Sequence, residues 1–170
     1  NDVAVTSLMP SYAGGATQMA WIRTSNGDGG ALIAGGGGEW SNRGMGLFID
    51  PSGNLVLLGS YGNTGVWNFA MVGPRANDGQ FHHVAATWHL IRKEKIIYIN
   101  GMRDASDTGL EGTWGQNDLS ALFAGSAVNG STRSEHFNGA LDEVRIWQVA
   151  RSEDQIRESV FRRLNGTEPL

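Results

Sequence analysis

Short runs of alternating apolar and polar residues recur along the chain, separated by turn signals about every 8–15 residues. Pro51-Ser52-Gly53 predicts a hairpin, because proline presets φ and glycine accepts a positive φ. Asn100-Gly101 is a second turn of this kind. The pattern predicts strands over Val3–Leu8, Thr17–Thr24, Ala31–Ala34, Gly46–Asp50, Asn54–Leu58, Phe81–Leu90, Lys95–Ile99, Met102–Ala105, Ala121–Ala124 and Ala140–Trp147.

One segment near the C-terminus has helical periodicity. Ser152 followed by Gln155 is a capping box, and Asn165-Gly166 is a stop signal. Many short strands with one late helix predict an all-β fold, an antiparallel two-sheet β-sandwich or jelly roll with the short C-terminal helix packed on one side. The helix is expected to carry an apolar stripe of Ile156, Val160, Phe161 and Leu164.

Composition narrows the class of protein. The 170 residues include 25 glycines and no cysteine, which indicates a turn-rich β domain over 1–170 and excludes a disulfide scaffold or a thiol nucleophile. The net charge is -4 and the only lysines are Lys93 and Lys95, so a nucleic-acid partner is not expected. No apolar run approaches the roughly 18 residues of a membrane span, so membrane insertion is not expected.

Candidate catalytic groups fail the spacing tests. His83 and His89 share a parity on one predicted strand while His82 faces the other way, so a three-histidine metal site cannot come from this strand alone. At least one of them is expected to be a structural histidine with satisfied hydrogen bonds. Asp142 and Glu143 are adjacent and point to opposite faces, unlike the carboxylate pair of a glycosidase. The chain is therefore predicted not to be an enzyme.

Two stretches carry a family resemblance. Phe137-Asn138-Gly139-Ala140-Leu141-Asp142-Glu143-Val144-Arg145-Ile146-Trp147, followed by Ala150-Arg151-Ser152, closely resembles the signature of laminin-G-like domains of the concanavalin A-like lectin/glucanase superfamily. Upstream, 78–88 followed by 97–101 resembles the central hairpin of the same family. The resemblance implies a concanavalin A-like jelly roll with a pentraxin-like layout, which hosts many functions. Both chain ends suggest a module excised from a secreted multidomain bacterial protein.

The resemblance also implies where calcium would bind. In calcium-dependent pentraxins, acidic residues of two loops hold calcium over the ligand. These loops correspond to 38–43 and 125–136 in this sequence. The residues there that can supply oxygen ligands are Glu39, Asn42, Asn129 and Glu135. The dense acidic run of the second loop is replaced by Ser126–Asn129, so a double-calcium site is not expected. A single structural calcium near Asp2 and Asp142 is kept as a hypothesis.

The same two loops supply the residue types of a carbohydrate site. An aromatic ring stacks on the apolar face of a pyranose, while amide, guanidinium and carboxylate groups bond its hydroxyls. The predicted ligand-binding residues are Glu39, Trp40, Asn42, Asn129, Ser131, Arg133 and His136. Trp67 and Trp114 are second-tier candidates in loop-like sequence, whereas the strand residues Trp21, Trp88 and Trp147 are expected in the core.

Parity along the last predicted strand makes a further prediction. Val144 and Ile146 are expected to face the core, and Asp142 lies on the same parity, so its carboxylate is predicted to point inward and to need a partner. Glu143 and Arg145 share the other face and are expected to be able to pair.

These observations favour a non-catalytic extracellular carbohydrate-binding module, lectin-like, that recognises a glycan or polysaccharide. The alternative is an adhesion or spacer domain that contacts protein partners or other domains of the same protein without binding a glycan. A glycanase is less favoured, because the characteristic Glu-x-Asp-x-x-Glu strand is absent from the sequence.

Overall fold

Two antiparallel sheets lie face to face in the computed structural model, which describes residues 3–5, 14–35, 45–59, 69–89, 91–108, 122–129 and 132–162. The elements are β1 (Val3–Val5), β2 (Gly15–Arg23), β3 (Gly30–Gly35), β4 (Met45–Ile49), β5 (Asn54–Gly59), β6 (Phe69–Arg75), β7 (Phe81–His89), β8 (Glu94–Ile99), β9 (Met102–Asp107), β10 (Leu122–Ala124), β11 (Ala127–Asn129), β12 (Thr132–Ser134), β13 (Ala140–Trp147) and α1 (Glu153–Ser159). The predicted sandwich with one short C-terminal helix is confirmed.

The strand order follows a jelly-roll pattern in which distant segments pair. One sheet has six strands in the order β1-β10-β3-β4-β5-β6, and the other has five in the order β13-β2-β7-β8-β9. Strands β11 and β12 form a separate two-stranded ribbon. The core lies between the two sheets. Its residues from the six-stranded sheet are Leu32, Ile33, Leu47, Ile49, Leu55, Leu57 and Met71. Its residues from the five-stranded sheet are Ala16, Ala20, Ile22, Val84, Ala86, Trp88 and Ile97.

Three strands were not predicted. Strand β6 contains Gly73-Pro74, which normally breaks a strand, but β6 lies at the edge of its sheet, where a missing backbone donor is tolerated. The ribbon strands β11 and β12 are three residues each and lie within 125–136, which the family resemblance assigns to a loop. Strands this short carry too few alternating positions to be recognised from the sequence.

Helix α1 covers the outer face of the five-stranded sheet. Its capping box forms as predicted, with the Gln155 amide N–H donating to Ser152 Oγ and the Ser152 amide N–H donating to Gln155 Oε1. Ile156 packs on the sheet with Met19, Ala85, Ile96, Tyr98 and Trp147. No helix among the described residues has the length and apolar character needed to cross a bilayer.

The helix ends earlier than its apolar stripe predicts. Its last residue is Ser159, and Phe161 is 91% exposed rather than part of the buried stripe. The reason is tertiary: Arg145 Nη1 donates to the Ser159 carbonyl oxygen at 2.8 Å, and Trp21 Nε1 donates to the Val160 carbonyl oxygen at 3.0 Å. These donors satisfy carbonyl groups at the helix C-terminus, so no further turn is required. Leu164 lies outside the described residues.

A β-bulge in β13 changes which residues face the core. The register with β2 shifts between Asp142 and Arg145, and Glu143 has a φ of 49°. Leu141, Val144 and Ile146 consequently pack on the core between the sheets. Asp142 is exposed, and its Oδ1 accepts the Glu143 amide N–H at 2.8 Å. The prediction of an inward Asp142 carboxylate is therefore wrong, because simple alternation fails at the bulge.

Candidate ligand groove

A groove of about 590 Å³ lies on the outer side of the six-stranded sheet. Strands β4 and β5 alternate so that Leu47, Ile49, Leu55 and Leu57 enter the core while their neighbours point away from it. The outward side chains form the apolar floor of the groove, which consists of Phe48, Val56 and Leu58. Its volume is in the range of small-ligand sites, about 300–1,000 Å³. We call this site the outer groove.

One wall of the outer groove is the segment Glu135-His136, which follows the ribbon. The Ala31 amide N–H donates to the Glu135 carbonyl oxygen at 2.8 Å, and the Phe137 amide N–H donates to the Gly125 carbonyl oxygen at 2.9 Å. Gly30 permits this close approach, since a Cβ there would lie 2.7 Å from Phe137 Cα at a φ of +143°. The wall is therefore fixed by backbone contacts on both sides.

The lining of the outer groove also includes two aspartates. Asp50 begins the β4–β5 turn, where its Oδ1 accepts the Asn54 amide N–H at 2.9 Å and its Oδ2 accepts Asn54 Nδ2 at 3.0 Å. Partial burial alone would raise the Asp50 pKa, but the hydrogen bonds from Asn54 and from the turn backbone give a net lowering. Asp28 is exposed, and its Oδ2 accepts Asn26 Nδ2 at 2.7 Å. Asp50 thus remains an anion that is committed to its turn.

Glu135 differs from both aspartates. Its carboxylate has no hydrogen-bond or ion-pair partner among the described residues, and desolvation by neighbouring atoms raises its pKa. Its backbone has a φ of 51°, a left-handed conformation that costs free energy for a residue with a side chain. Among the described residues, Glu135 is therefore the groove carboxylate that lacks a side-chain partner.

The structure describes the location of some predicted ligand residues, whose role in binding stays a prediction. His136 lines the outer groove, beside Glu135. Asn129 and Arg133 lie on the ribbon strands β11 and β12, in register with Thr132 and Val128 respectively. The other predicted residues, namely Glu39, Trp40, Asn42, Ser131, Trp67, Trp114 and the metal candidate Asp2, lie outside the described residues.

Sequence reasoning missed the groove floor and the aspartates of its lining. A signal for the floor is present in 55–58, Leu-Val-Leu-Leu, which is apolar on both parities. A strand of an antiparallel sandwich normally shows water one face, so apolar residues on both faces indicate that the outer face is covered or used. Asp28 and Asp50 look like ordinary turn residues in the sequence, and only the fold brings them to the same groove.

Two histidines of β7, His82 and His83, contact other side chains of the domain. His82 Nε2 lies 2.9 Å from Asp78 Oδ1, and Asn100 Nδ2 lies 3.2 Å from His82 Nδ1, so both ring nitrogens of His82 are engaged as expected. His83 is buried against Trp21, with an edge-on ring contact at 5.7 Å, but its Nδ1 has no partner among the described residues. The described residues contain no group of three metal-ligating side chains.

The predicted Glu143–Arg145 pair forms, at 2.9 Å between Oε2 and Nη2. Trp88 and Trp147 are buried as expected, while Trp21 is only half-buried. Arg145 donates to carbonyl oxygens near the end of α1 rather than to a ligand. The outer face of the five-stranded sheet is therefore used for helix docking, which leaves the opposite side of the sandwich for the groove.

A two-sheet jelly roll with a groove on one outer face is the architecture of the concanavalin A-like lectin fold. The Laminin_G_3 model, described as concanavalin A-like lectin/glucanases superfamily, matches residues 2–157, and the chain belongs to this family. A curated relative, the sushi, von Willebrand factor type A, EGF and pentraxin domain-containing protein 1 of Rattus norvegicus, is 30% identical over 88 residues. This match covers 49% of the chain and only 2% of the rat protein.

Solved structures share the fold at low sequence identity. The CBM40 module of the Ruminococcus gnavus IT-sialidase superposes with a TM-score of 0.71 at 16% identity, over 86% of this chain and 82% of that one. The heptameric SAP-like pentraxin of Limulus polyphemus superposes with a TM-score of 0.68 at 17% identity, over 94% of this chain and 75% of that one. At such identities the likeness establishes the fold alone.

Proposed function

We propose that this chain is a carbohydrate-binding module without catalytic activity, and that the glycan lies in the outer groove. The observation that carries the proposal is an apolar floor beside the carboxylate of Glu135, which has no partner in the part of the chain that the structure describes. A pyranose has an apolar face and a rim of hydroxyls, so it matches a site with aliphatic surface and nearby hydrogen-bond acceptors.

Each side chain has a distinct role in this proposal. Leu58, which is half-buried, offers aliphatic surface to the sugar face, while Phe48 and Val56 support the floor from below. The Glu135 carboxylate accepts hydroxyl hydrogens, and the exposed His136 ring borders the same position. Asp50 is unsuited to donate a proton, because its lowered pKa keeps it ionised at neutral pH. We assign the groove carboxylates to binding sugar hydroxyls, and a turnover assay tests this assignment against hydrolysis.

The test is a glycan array followed by titration calorimetry on the best ligand. Glu135→Ala and His136→Ala are each expected to weaken binding at least about tenfold, since each removes a polar group at the groove. Asp104→Asn, an exposed carboxylate of the other sheet, serves as the matched control and should bind like the parent protein. Full binding by the double variant Glu135→Ala/His136→Ala would refute the groove, and turnover of a bound polysaccharide would refute the non-catalytic assignment.

The loop residues named from the sequence remain part of the proposal. Trp40→Ala in the same assay is expected to abolish binding while leaving the melting temperature nearly unchanged, because the predicted role of Trp40 is stacking on the sugar. If no glycan binds at all, the alternative of an adhesion or spacer domain that contacts protein partners is favoured. In either case we propose an extracellular location.

Calcium binding is a separate hypothesis. Of the predicted pair Asp2 and Asp142, the structure describes only Asp142, whose exposed carboxylate already accepts one backbone N–H. Calcium takes about six to eight oxygen ligands, and the described residues hold no group of three acidic or histidine side chains. The described residues thus do not fit a calcium site by themselves. Melting curves with calcium and with a chelator test the hypothesis, since binding to the folded state raises stability.

A further inference from the structure

The outer groove has an unbalanced charge. The described residues that line it include Asp28, Asp50 and Glu135 and contain no lysine or arginine. Asp50 stays ionised at neutral pH because the hydrogen bonds at its turn lower its pKa. The net charge of the whole chain is also negative, with 17 Asp and Glu against 13 Lys and Arg. Among the described residues, the groove lining thus presents three carboxyl groups to a ligand.

From this geometry we infer, on the basis of the proposed function, that the outer groove selects glycans without a carboxylate and disfavours glycans that end in a sialic or uronic acid. The carboxylates of Glu135 and Asp28 accept hydrogen bonds from sugar hydroxyls or from the ammonium group of an amino sugar. A carboxylate on the sugar instead places like charges together, which is a common source of specificity against a competing ligand.

The expected size of this discrimination is at least about tenfold in affinity. A tenfold loss corresponds to about 1.4 kcal/mol. Two like charges about 6 Å apart supply this repulsion at the effective dielectric constant of a protein surface. Because the groove is open to solvent, the repulsion is screened by salt, and the discrimination is expected to shrink as ionic strength rises above about 0.1 M.

The expected ligand preference of this chain differs from that of one structural neighbour. A structure of the Ruminococcus gnavus CBM40 module bound to α2,3 sialyllactose has the same fold, with a TM-score of 0.67 at 18% identity. Fold similarity at this identity does not transfer the ligand, because one fold carries sites of different chemistry. The charge of the groove in this chain favours a neutral or amine-bearing sugar.

The test uses the whole chain on immobilised glycans arranged in matched pairs, such as lactose and sialyllactose, that differ only by the terminal acidic sugar. Chitosan oligosaccharides are included as the amine-bearing probe. Binding of neutral or amine-bearing glycans at least about tenfold tighter than their acidic counterparts supports the inference. Equal or tighter binding of the acidic member overturns it and leaves the proposed function intact. Binding to none of the glycans overturns the proposed function itself.

Two neutral variants locate the source of the discrimination. Glu135→Gln and Asp28→Asn keep the shape and the carbonyl acceptor of each side chain but remove the charge. In the double variant, the ratio of the affinity for neutral glycans to that for acidic glycans is expected to fall at least about threefold. Asp104→Asn changes the net charge of the chain by one unit at a position outside the groove, and its ratio should match the parent. An unchanged ratio in the double variant overturns the assignment of discrimination to these carboxylates.

Discussion

Arg145 Nη1 donates to the main-chain carbonyl oxygen of Ser159 at 2.8 Å, which joins the last strand of the sandwich to the C-terminus of its helix. The same guanidinium also contacts the Arg162 carbonyl oxygen and the Glu143 carboxylate. Its side chain is only 6% exposed. A planar group with several donors in fixed directions is suited to bonding several carbonyl oxygens at a helix end.

Replacing Arg145 should therefore destabilise the domain. Arg145→Met keeps most of the side-chain volume but leaves the carbonyl oxygens of Ser159 and Arg162 without their donor. We expect a loss of about 2–4 kcal/mol in the free energy of unfolding. Arg145→Lys should recover little of it, because an ammonium group cannot bond the same acceptors in the same directions. Urea denaturation measures each value.

Arg157→Met is the matched control for this experiment. Arg157 is 57% exposed and pairs with Glu153 and Asp154 on the solvent side of the same helix. Exposed pairs of this kind contribute about 0–1 kcal/mol, so its urea midpoint should stay close to that of the parent protein. Equal midpoints for the Arg145→Met and Arg157→Met variants would show that Arg145 does not stabilise the helix end.

The N-terminus of the helix permits an independent test. Ser152→Ala removes the Oγ that accepts the Gln155 amide N–H at 3.3 Å and opens the capping box. The expected loss is about 1 kcal/mol of unfolding free energy. Ser106→Ala, at an exposed position of strand β9, should change stability by less than about 0.5 kcal/mol. A Ser152→Ala variant as stable as Ser106→Ala would show that the capping box does not contribute to the free energy of unfolding.

Much of the fold could be predicted from local signals. The Pro51-Ser52-Gly53 turn and the Ser152–Gln155 capping box are each determined by residues within a few positions of one another, and both occur as expected. The end of α1 depends on donors from Arg145 and Trp21, which lie 14 and 139 positions from the carbonyls they bond. A local pattern contains no information on such contacts.

The candidate site was predictable only in part. His136, which lies in a glycine- and serine-rich loop, was predicted to contact a ligand, and it lines the outer groove. Its contact with a ligand stays a prediction. Asp142 was misplaced because a bulge, unlike regular alternation, leaves no clear mark in the sequence. Asp28 and Asp50 were missed because each has a complete local explanation as a turn residue, and their common position depends on the packing of two separate turns.

Gly30 links the fold to the proposed site. In Gly30→Ala the new Cβ would lie 2.8 Å from the His136 carbonyl oxygen and 2.7 Å from Phe137 Cα, at a φ that an alanine rarely adopts. The Glu135-His136 wall must then shift, so we expect a loss of about 1–3 kcal/mol in unfolding free energy together with weaker glycan binding. Denaturation and the glycan assay measure the two effects.

Gly14→Ala is the control for this change, because a Cβ at Gly14 meets nothing within 4 Å. It should leave glycan binding unchanged and alter stability by less than about 1 kcal/mol. If Gly30→Ala binds and unfolds like Gly14→Ala, the close approach of the wall to β3 is not important for the groove.

His83 makes the stability of the domain sensitive to acid. Burial and the nearby positive charge of Arg145 lower the pKa of His83 from its ordinary 6.5 to about 4. Between these two values the unfolded chain binds a proton that the folded protein does not, so the free energy of unfolding falls as the pH decreases from about 6.5 to about 4. Above this window His83 is neutral in both states and contributes no pH dependence. The full effect is about 3 kcal/mol at most.

His83→Phe isolates this contribution, since phenylalanine keeps an aromatic ring against Trp21 but cannot titrate. We expect the variant to lose less stability than the parent protein when urea denaturation is repeated from about pH 7 down to about pH 5. Comparing the two slopes cancels the carboxyl groups that titrate in both proteins, including Asp50 and Asp78, whose lowered pKa values affect stability mainly at more acidic pH. Parallel slopes for the two proteins would show that His83 is not the group that makes folding sensitive to acid.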